Sequence, residues 1–365
     1  MSLNEPDAYI ALNSLTGIGV ANFGNLLGRF GYAANVFKMA VSSLREVKGI
    51  GPITADQITS CRPQKTADAE KRKAQKLKVR IITALDEGYP QNLKTLHASP
   101  PLLYVAGEIM ETDAIAVGVV GTRRPTAYGR ISTENLSAML AAMGFTIVSG
   151  LARGVDSFAH RAALEAGGRT IAVLGCGLDL CYPPENRGLS EKIRENGAVV
   201  SQFCFGTEPE KRNFPVRNRV ISGLSLGVLV TEAGTKSGAL ITAYAALDEG
   251  REVFAIPGRI DYAQSVGTNG LIQKGAKLVK NLEDIVEEFP VEVVSYLSLS
   301  EESEQHALSG DEVKLLALLA EDERHIDHLI NGSGLPSGVV LGILLELEIK
   351  GVVRQLPGKL FAKLK

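Results

Sequence analysis

The 365-residue sequence predicts an α/β protein built on a doubly wound parallel sheet, with a helical domain before the sheet and a winged helix after it. Three observations support this fold class. Short apolar runs alternate with helix-like segments between residues 81 and 256, which is typical of a parallel sheet covered on both faces. Glycine-rich turns follow most of these runs. The segments on either side show helical patterns instead, and a chain of this length is expected to form two or three domains.

Residues 1–75 predict a small helical domain. Two turns, Gly17-Ile18-Gly19 and Gly49-Ile50-Gly51, have the glycine–apolar–glycine pattern of helix-hairpin-helix motifs. In such motifs, backbone amides at the start of the following helix can bind a DNA phosphate. A SAM-like helical bundle that uses the glycines only for tight turns explains the pattern as well. Contact between this domain and DNA is therefore one of two open alternatives.

Residues 76–290 predict the sheet domain. Its first two strands are expected at residues 81–85 and 100–106, with a turn between them. The remaining predicted strands are residues 114–120, 145–149, 170–174, 198–201, 226–230 and 252–256. Ligands of doubly wound sheets bind outside the carboxyl ends of the strands. Because the glycine-rich turns fall at those ends, we expect the functional site there.

Residues 291–310 are acidic and serine-rich and predict a linker, and residues 311–365 predict a winged helix. The winged helix would consist of three helices and a β-hairpin, at residues 313–319, 326–330, 337–350 and 352–362. The third helix contains Glu346 and Glu348 but only one cation, Lys350. A helix that reads duplex DNA is rich in basic and amide side chains. A protein-interaction or regulatory role is therefore favoured over DNA readout.

The charged residues are distributed unevenly along the chain. The formal net charge is −2, but residues 281–310 contain eight acidic side chains and no lysine or arginine. Residues 1–280 carry 32 basic and 25 acidic side chains, a net charge of +7. A polyanion responds to this local potential rather than to the charge of the whole chain. The composition therefore allows a nucleic-acid partner.

Cysteine usage and hydropathy predict a soluble, cytoplasmic protein. The four cysteines form no C-x-x-C pair and no metal-like cluster with the five histidines, so we expect reduced thiols and no metal site. They are Cys61, Cys176, Cys181 and Cys204. No apolar run approaches the length of a membrane span, and the first residues lack a signal-peptide pattern. No association with a membrane is expected.

Arginines and glycines follow two of the predicted strands. Arg123 and Arg124 lie in GTRRPTAYG, and Gly150, Arg153 and Gly154 lie in SGLARGVD. Arginines so close to a strand end indicate a phosphate or carboxylate ligand. Glycines in these turns would let a ligand approach backbone N–H groups. The plain alternative is a pair of surface arginines in an ordinary loop.

Other residues at the strand ends have both structural and binding interpretations. Asp156 is expected to cap the helix that follows SGLARGVD rather than to act as a general base. Lys236, in the turn EAGTKSG, belongs to a further candidate anion site. In the turn LGCGLDLCYPPEN, three side chains could bind a ligand or brace the loop: Asp179, Tyr182 and Asn186.

The run EPEKRNFPVRNRVISGLS places cations around one aromatic side chain, Phe214. These cations include Lys211, Arg217 and Arg219. Single-stranded nucleic acid is bound by this combination, because cations contact the phosphates and an exposed ring stacks on the bases, worth about 1–3 kcal/mol per base. The alternative is a charged loop in which Phe214 anchors into the core.

Sequence motifs of the common nucleotide and hydrolase sites are absent. The chain contains no G-x-x-x-x-G-K-[ST], no G-x-S-x-G and no H-E-x-x-H. The turn after residue 120 lacks the three glycines of a dinucleotide site. No nucleophile–base pair can be recognised. Several anion sites without such a pair predict an extended polyanion that is bound without covalent catalysis and without a cofactor.

The motifs together resemble a known family. GTRR, SGLARGVD, GCGLD with YPPEN, FPVRNRVISGLS, EAGTKSGALITA and AIPG occur in this order over most of residues 80–280 and resemble the DNA-processing protein A (DprA/Smf) family. The resemblance implies an extended Rossmann-fold domain that binds single-stranded DNA and forms a homodimer. It also implies a protein that loads the RecA recombinase in natural transformation and helps to displace single-strand-binding protein.

The resemblance also implies roles for individual residues. Lys211 would pair with the DNA backbone and Phe214 would contact a base. Dimerisation would involve Leu271 and Ile272. The implied phosphate nest consists of Gly121, Arg123, Gly150, Arg153 and Gly154.

Two positions depart from the family pattern. Gln202 stands where the family usually has glutamate, and Pro184-Glu185 where a basic residue is common. These departures bear on local contacts with DNA.

Two enzyme classes remain as alternatives to a binding protein. A phosphoribohydrolase acting on nucleotides would need the PGG-x-G-T-x-x-E nest, which EAGTKSGAL only partly matches, and an NAD-dependent oxidoreductase would need the missing dinucleotide motif.

Overall fold

The computed structural model describes residues 3–96, 98–293, 310–319, 323–349, 353–356 and 358–363. The chain falls into two compact units, Met1–Ser298 and Leu299–Lys365. Each unit has a hydrophobic core of its own. Most of the acidic linker predicted at residues 291–310 lies outside the described residues.

The first unit begins with six helices. They are α1 (Glu5–Asn13), α2 (Val20–Phe30), α3 (Ala33–Val36), α4 (Val41–Arg45), α5 (Pro52–Ser60) and α6 (Pro63–Lys76). Leu12, Phe23 and Leu44 belong to the core between these helices. Ile10 of α1 and Ala67 of α6 instead pack into a cluster that contains sheet residues. The N-terminal helices are therefore joined to the sheet by shared apolar contacts.

The two predicted hairpin turns lie directly before α2 and α5. Gly17 and Gly49 have φ angles of +85° and +88°, a conformation that glycine adopts at little cost. The amide of Asn22 donates to the carbonyl oxygens of Gly17 at 2.8 Å and of Gly49 at 3.2 Å. One side chain thus connects the two turns. That these turns contact DNA stays a prediction.

A nine-stranded sheet follows in the first unit. Its strands are β1 (Val79–Thr83), β2 (Leu102–Gly107), β3 (Ala116–Val120), β4 (Thr146–Ser149), β5 (Thr170–Val173), β6 (Gly197–Ser201), β7 (Gly227–Val230), β8 (Glu252–Ala255) and β9 (Lys277–Leu278). Within the described residues their order is β1-β2-β6-β5-β4-β3-β7-β8-β9. The strands from β6 to β9 in this order are parallel.

The expectation of a parallel sheet is wrong at one edge. β2 pairs antiparallel with both β1 and β6. The chain turns back between β1 and β2 instead of crossing over the sheet. Tyr89 fixes this turn because its hydroxyl donates to the carbonyl oxygen of Pro100 at 2.6 Å. Antiparallel edge strands on a mostly parallel sheet are common in doubly wound folds.

Helices cover both faces of the sheet. They are α7 (Gln91–Lys94), α8 (Ala127–Ala142), α9 (Val155–Glu165), α10 (Arg187–Glu195), α11 (Asn213–Leu224), α12 (Gly238–Asp248), α13 (Val266–Gln273) and α14 (Glu283–Val286). Alternate residues of β3 face opposite sides, as the pleat requires. Val117 and Val119 join the cluster that contains α8 and α9. Ala116 and Val120 join the cluster that contains α11 and α12.

The second unit has the winged-helix arrangement that the sequence predicts. It contains α15 (Gly310–Leu318), β10 (Arg324–His325), α16 (Ile326–Ser333), α17 (Ser337–Ile349), β11 (Val353–Leu356) and β12 (Leu360–Lys363). The strand order is β10-β12-β11. The third helix, α17, contains no lysine or arginine, and Lys350 lies outside the described residues. Val339, Leu341 and Leu345 are exposed on it.

Some features are missing from the part of the chain that the structure describes. No single helix there is long and apolar enough to cross a bilayer, and α16 with the first part of α17 reaches that length only across a bend of 115°. The same residues contain no group of three or more histidine, cysteine, aspartate or glutamate side chains placed to hold a metal ion. All four cysteines are free thiols.

Candidate nucleic-acid interface

The candidate site lies at the carboxyl ends of the parallel strands, as expected. A narrow slot there is lined by residues from five segments: the loops after β3, β4, β5 and β6 and the start of α11. We call this surface the strand trough, and we define it by Arg123, Arg153, Tyr182, Phe214 and Arg217. Three of its five side chains are guanidinium groups. The sequence motifs GTRR, SGLARGVD and FPVRNR are thereby brought together.

Phe214 lies in the middle of the trough and is half-buried. Its ring packs on Gly175, where a Cβ atom would come within 3.2 Å of the ring. The guanidinium carbons of Arg123 and Arg217 are 5.6 Å and 5.8 Å from the ring centroid, within the range of cation–π attraction. The slot around the ring holds only about 30 Å³. The slot is therefore too small to enclose a ring-sized ligand, and part of the Phe214 ring stays open.

The β4 loop is held in a sparsely populated conformation. Leu151 has a φ angle of +56°, which non-glycine residues rarely adopt. The amide of Asn186 donates to the Leu151 carbonyl oxygen and to the hydroxyl of Ser157, both at 2.8 Å. Asp179 accepts from the amide of Gly206 at 2.9 Å. Asn186 and Asp179, two side chains with open roles, thus brace loops.

Asp156 corrects one expectation. It does not cap α9, because the residue before the helix is Gly154 and Asp156 lies in the first turn. Its carboxylate turns back and accepts from the backbone amides of Gly150 at 3.1 Å and Ala152 at 3.3 Å. The Gly150 amide is therefore already bound within the protein and is not free to donate to a phosphate, as the implied nest would require.

Gly121 and Gly154 let the loops after β3 and β4 approach each other. At Gly154, φ is +75° and a Cβ atom would lie 2.5 Å from the Thr122 carbonyl oxygen. At Gly121, a Cβ atom would lie 2.6 Å from the side chain of Val155. Both glycines belong to the implied nest, and the visible reason for them is the close packing of these loops. That packing sets the position of Arg123.

Glu232 also positions the Arg123 loop, and sequence reasoning missed it. This buried residue follows β7, and its carboxylate accepts from the amide and the hydroxyl of Thr126, at 2.8 Å and 2.9 Å. A Cβ atom on Gly129 would lie 2.3 Å from the same carboxylate. The available signal was an acidic residue directly after an apolar strand, in TEAGTK.

Arg153 points into the trough but is already paired. Its guanidinium group forms an ion pair with Glu185, and both side chains are largely exposed. Each partner shifts the other's pKa, raising that of Arg153 and lowering that of Glu185, chiefly through their hydrogen bond. Glu185 is one of the two departures from the family pattern. In the free protein it neutralises one of the three guanidinium groups of the trough.

Arg217 is buried, with 5% of its surface exposed. Its Nη1 atom lies 4.0 Å from the carboxylate of Asp156, which is too far for a hydrogen bond. The guanidinium group covers Gly150, where a Cβ atom would lie only 1.3 Å from Nη1. Burial lowers the pKa of Arg217 and raises the pKa of Asp156, while each opposes the shift of the other. This buried pair links the floor of the trough to the β4 loop.

The remaining predicted site residues are scattered. Lys211 and Arg124 are exposed and do not line the slot, although Lys211 lies only three residues before Phe214. Arg219 faces Asp248 at 3.9 Å and borders an apolar groove with the start of α2, so it does not join the trough. Leu271 is buried in the core of its own protomer, with 2% exposed, which leaves no free surface for dimer contacts there. Ile272 is half-buried.

A larger cleft adjoins the trough. It measures about 650 Å³ and lies between the loops after β3 and β7, where the strand order reverses direction. We call it the switch-point cleft. Its charged lining residues are Arg123, Asp156, Arg217 and Lys236. Lys236, predicted as part of an anion site, therefore belongs to this cleft rather than to the slot.

Comparisons with known proteins agree on one family. A family model described as DNA recombination-mediator protein A matches residues 80–290, and one described as the DprA winged helix domain matches residues 300–359. The Smf protein of Synechocystis is 34% identical over 98% of this chain and 98% of its own length.

Two solved structures are similar in fold and sequence. DNA processing protein A from Streptococcus pneumoniae has a TM-score of 0.67 and 35% identity, covering 80% of this chain and 99% of its own. DNA processing protein A from Helicobacter pylori, described for its single-stranded DNA binding mode, has a TM-score of 0.53 and 33% identity. It covers 58% of this chain and 95% of its own.

Proposed function

The chain belongs to the DNA recombination-mediator protein A (DprA/Smf) family, and from this premise we propose that it binds single-stranded DNA along the strand trough and leaves the strand chemically intact. One observation carries the proposal: Arg123, Arg153 and Phe214 come from separate segments and line one slot. Cations for the phosphates and a ring for the bases are the two components of a single-strand site. The Helicobacter pylori relative is described as a single-stranded DNA binder.

The carboxylates of the site support binding without catalysis. Of the residues that line the trough and the switch-point cleft, only Asp156 carries a carboxylate. That carboxylate is occupied by two backbone amides and faces Arg217. Glu232 is buried and bound to Thr126. A phosphoribohydrolase would need a free carboxylate beside the sugar, and neither residue meets that need.

The test is fluorescence anisotropy with labelled oligo-dT over a series of salt concentrations. Arg123→Ala and Lys211→Ala should weaken binding, and each should lower the slope of log K against log[salt] by about 0.7, because one phosphate contact is lost. Arg161→Ala removes an exposed arginine of α9 outside the trough and serves as the control. A blunt duplex of equal length should bind less tightly. Unchanged affinity of both variants would place the strand elsewhere.

We further propose that the protein acts as a homodimer that transfers the strand to RecA and displaces single-strand-binding protein. An exposed apolar face on α12 supports a dimer contact. Ile241, Tyr244 and Leu247 lie on successive turns of α12, with 45%, 41% and 49% of their surfaces exposed. Lys274 donates to the Tyr244 hydroxyl at 3.0 Å, so the end of α13 lies beside this face. Ile272, an implied dimer residue, lies two positions before Lys274 in the chain.

The recombinase proposal has its own measurement. It is the time course of ATP hydrolysis by RecA on single-stranded DNA that is first coated with single-strand-binding protein. The wild-type protein should shorten the delay before hydrolysis begins, and Arg123→Ala should shorten it less, because it holds the strand more weakly. In the second unit, the exposed leucines Leu341 and Leu345 of α17 are compatible with the favoured protein-interaction role for the winged helix.

A further inference from the structure

The switch-point cleft is a second binding surface beside the trough. It shares Arg123, Phe214 and Arg217 with the slot but extends to the β7 loop and the start of α12. Its volume of about 650 Å³ is far larger than the slot and falls in the range of small-ligand sites. In doubly wound sheets, the crevice where the strand order reverses is the usual position of a bound ligand. A strand that follows the trough leaves this volume unexplained.

The environment of Arg217 indicates an anion site in the cleft. Its side chain is 94% buried, and its Nε atom has no hydrogen-bond partner among the described residues. The nearest carboxylate oxygen is 4.0 Å from Nη1. A buried charge without hydrogen bonds is costly, and a guanidinium group presents a planar fork of donors that suits phosphate. Because Arg217 also lines the cleft, its guanidinium group is a candidate partner for an anion there.

The start of α12 supplies a second contact for an anion. Ser237 is the N-cap, and its hydroxyl accepts from the amide of Ala239 at 3.3 Å. The helix has eleven residues, and its amino end carries a partial positive charge. Lys236, directly before the cap, is exposed and lines the same cleft. Ser237 and Lys236 line the same cleft as Arg217, which belongs to α11.

The charge of the cleft distinguishes two kinds of phosphate. Three cations and one carboxylate line it, so its net formal charge is +2. A phosphodiester inside a strand carries one negative charge, whereas a terminal phosphate monoester carries about −1.5 to −2 at neutral pH. The cleft should therefore attract the monoester more strongly than the diester.

We propose that the switch-point cleft binds the phosphate monoester of a nucleotide, either at the end of a bound strand or on a free nucleoside monophosphate. Arg217 and the start of α12 grip the phosphate, with Arg123 and Lys236 completing its charge. The strand-end form rests on the proposed binding of single-stranded DNA, whereas the free-nucleotide form does not. A protein with this site would bind the phosphorylated end of a strand in addition to the strand itself.

The experiment compares four oligo-dT ligands of equal length in anisotropy: unmodified, 5′-phosphorylated, 3′-phosphorylated and doubly phosphorylated. One terminal phosphate should tighten binding on the order of tenfold, the effect expected of charged hydrogen bonds. In parallel, thymidine monophosphate and thymidine are added to the protein alone. The monophosphate should raise Tm by mass action, and thymidine should not.

Variants assign the effect to the cleft. Lys236→Ala and Arg217→Lys should lose the preference for a phosphorylated end and the Tm shift. Arg217 is buried, so Arg217→Lys could lose both effects by misfolding. Lys236 is exposed, so Lys236→Ala tests the cleft without that risk. Lys94→Ala, an exposed lysine of α7 outside the cleft, should keep both effects.

The outcomes separate this inference from the proposed function. A preference for phosphorylated ends, or a Tm shift with the monophosphate alone, supports the cleft and identifies the source of its ligand. Equal binding of all four oligonucleotides with no Tm shift overturns the cleft but leaves strand binding standing. Failure of every oligonucleotide overturns strand binding, and the Tm measurement then decides the cleft by itself. Effects that persist in Lys236→Ala also overturn it.

Discussion

At the scale of single residues, Glu185 lies beside the trough and opposes the proposed contact between Arg153 and a phosphate. Glu185 neutralises Arg153, although both are exposed and such surface pairs contribute little to stability. A DNA phosphate must compete with this carboxylate for the same guanidinium group. The ion pair therefore affects ligand affinity more than it affects the fold. It is also the clearest local consequence of the departure at Pro184-Glu185.

Glu185→Gln should bind oligo-dT more tightly than the wild type, by a few-fold at low salt, because Arg153 becomes available to a phosphate. The gain should shrink as the salt concentration rises. Glu191→Gln removes an equal charge from α10, outside the trough, and controls for the change in net charge. Equal gains in the two variants would mean that long-range charge, not the release of Arg153, is responsible.

His160 makes a prediction about pH. It is fully buried on α9, and the Thr170 hydroxyl donates to the Ile147 carbonyl oxygen at 2.6 Å. The Thr170 oxygen must therefore accept from Nδ1 of His160, 2.6 Å away, which leaves Nε2 unprotonated. Burial, with smaller contributions from Arg217 and Arg161, lowers the pKa of His160 to about 3. Folding thus requires the neutral ring.

The unfolded chain binds a proton at His160 below its ordinary pKa of about 6.5, whereas the folded chain does not until about 3. Stability is therefore lost as pH falls below about 6.5, by about 2 kcal/mol between pH 7 and pH 5 from this residue. Urea unfolding at the two pH values measures the loss. His160→Asn should lose less, while the raised pKa of Asp156 acts in the opposite direction in both proteins. Equal losses would contradict the assignment.

The identities of the residues at the site could be predicted more easily than their roles. Arg123, Arg153 and Phe214 meet in one slot because their motifs follow strands of one parallel sheet, and that geometry is implicit in the pattern. The roles of Gly150 and Asp156 could not be predicted in the same way. Both roles depend on the Asp156 carboxylate, which turns back to accept from the Gly150 amide. Sequence spacing alone does not distinguish this contact from a helix cap.

At the scale of elements, strand positions were predicted to within a few residues, and strand direction was predicted everywhere except at the β1–β2 edge. The apolar runs of β3, β4, β5, β7 and β8 are continuous because both faces of each strand are buried. The antiparallel edge depends on how the chain between β1 and β2 turns, which involves Tyr89 and Pro100. β9 has only two residues and leaves no periodic signal.

The hairpin turns give a prediction at this scale. Gly49 has a φ of +88°, and a Cβ atom there would lie 2.1 Å from Oδ1 of Asn22. Gly49→Ala should therefore destabilise the first unit by about 2 kcal/mol, through strained backbone and displacement of Asn22. Gly28→Ala, inside α2 with open space around it, should instead stabilise by about 0.5–1 kcal/mol. Urea unfolding of the full chain compares both with the wild type, and a neutral Gly49→Ala would show that the turn is not fixed as described.

At the scale of the whole molecule, charge and apolar surface are separated within the first unit. The trough and the switch-point cleft contain Arg123, Arg153, Arg217 and Lys236, at the carboxyl ends of the strands. The face of α12 formed by Ile241, Tyr244 and Leu247 is apolar and points away from the buried side of that helix. A dimer through this face would use a side of α12 that does not line the cleft.

Leu247→Glu places a charge in the middle of that surface and should convert a dimer into a monomer, because an unpaired carboxylate in an apolar interface costs several kcal/mol. Light scattering after size-exclusion chromatography measures the molar mass, and Leu85→Glu, at a similarly exposed leucine away from α12, is the control. Each monomer should still bind a short oligo-dT with the affinity of a wild-type protomer, since α12 meets the cleft through its other side. On long strands, the variant should bind more weakly than the wild type, because two linked troughs raise the effective concentration of the second contact. If Leu247→Glu remains dimeric while Leu85→Glu does not, the dimer forms through another surface.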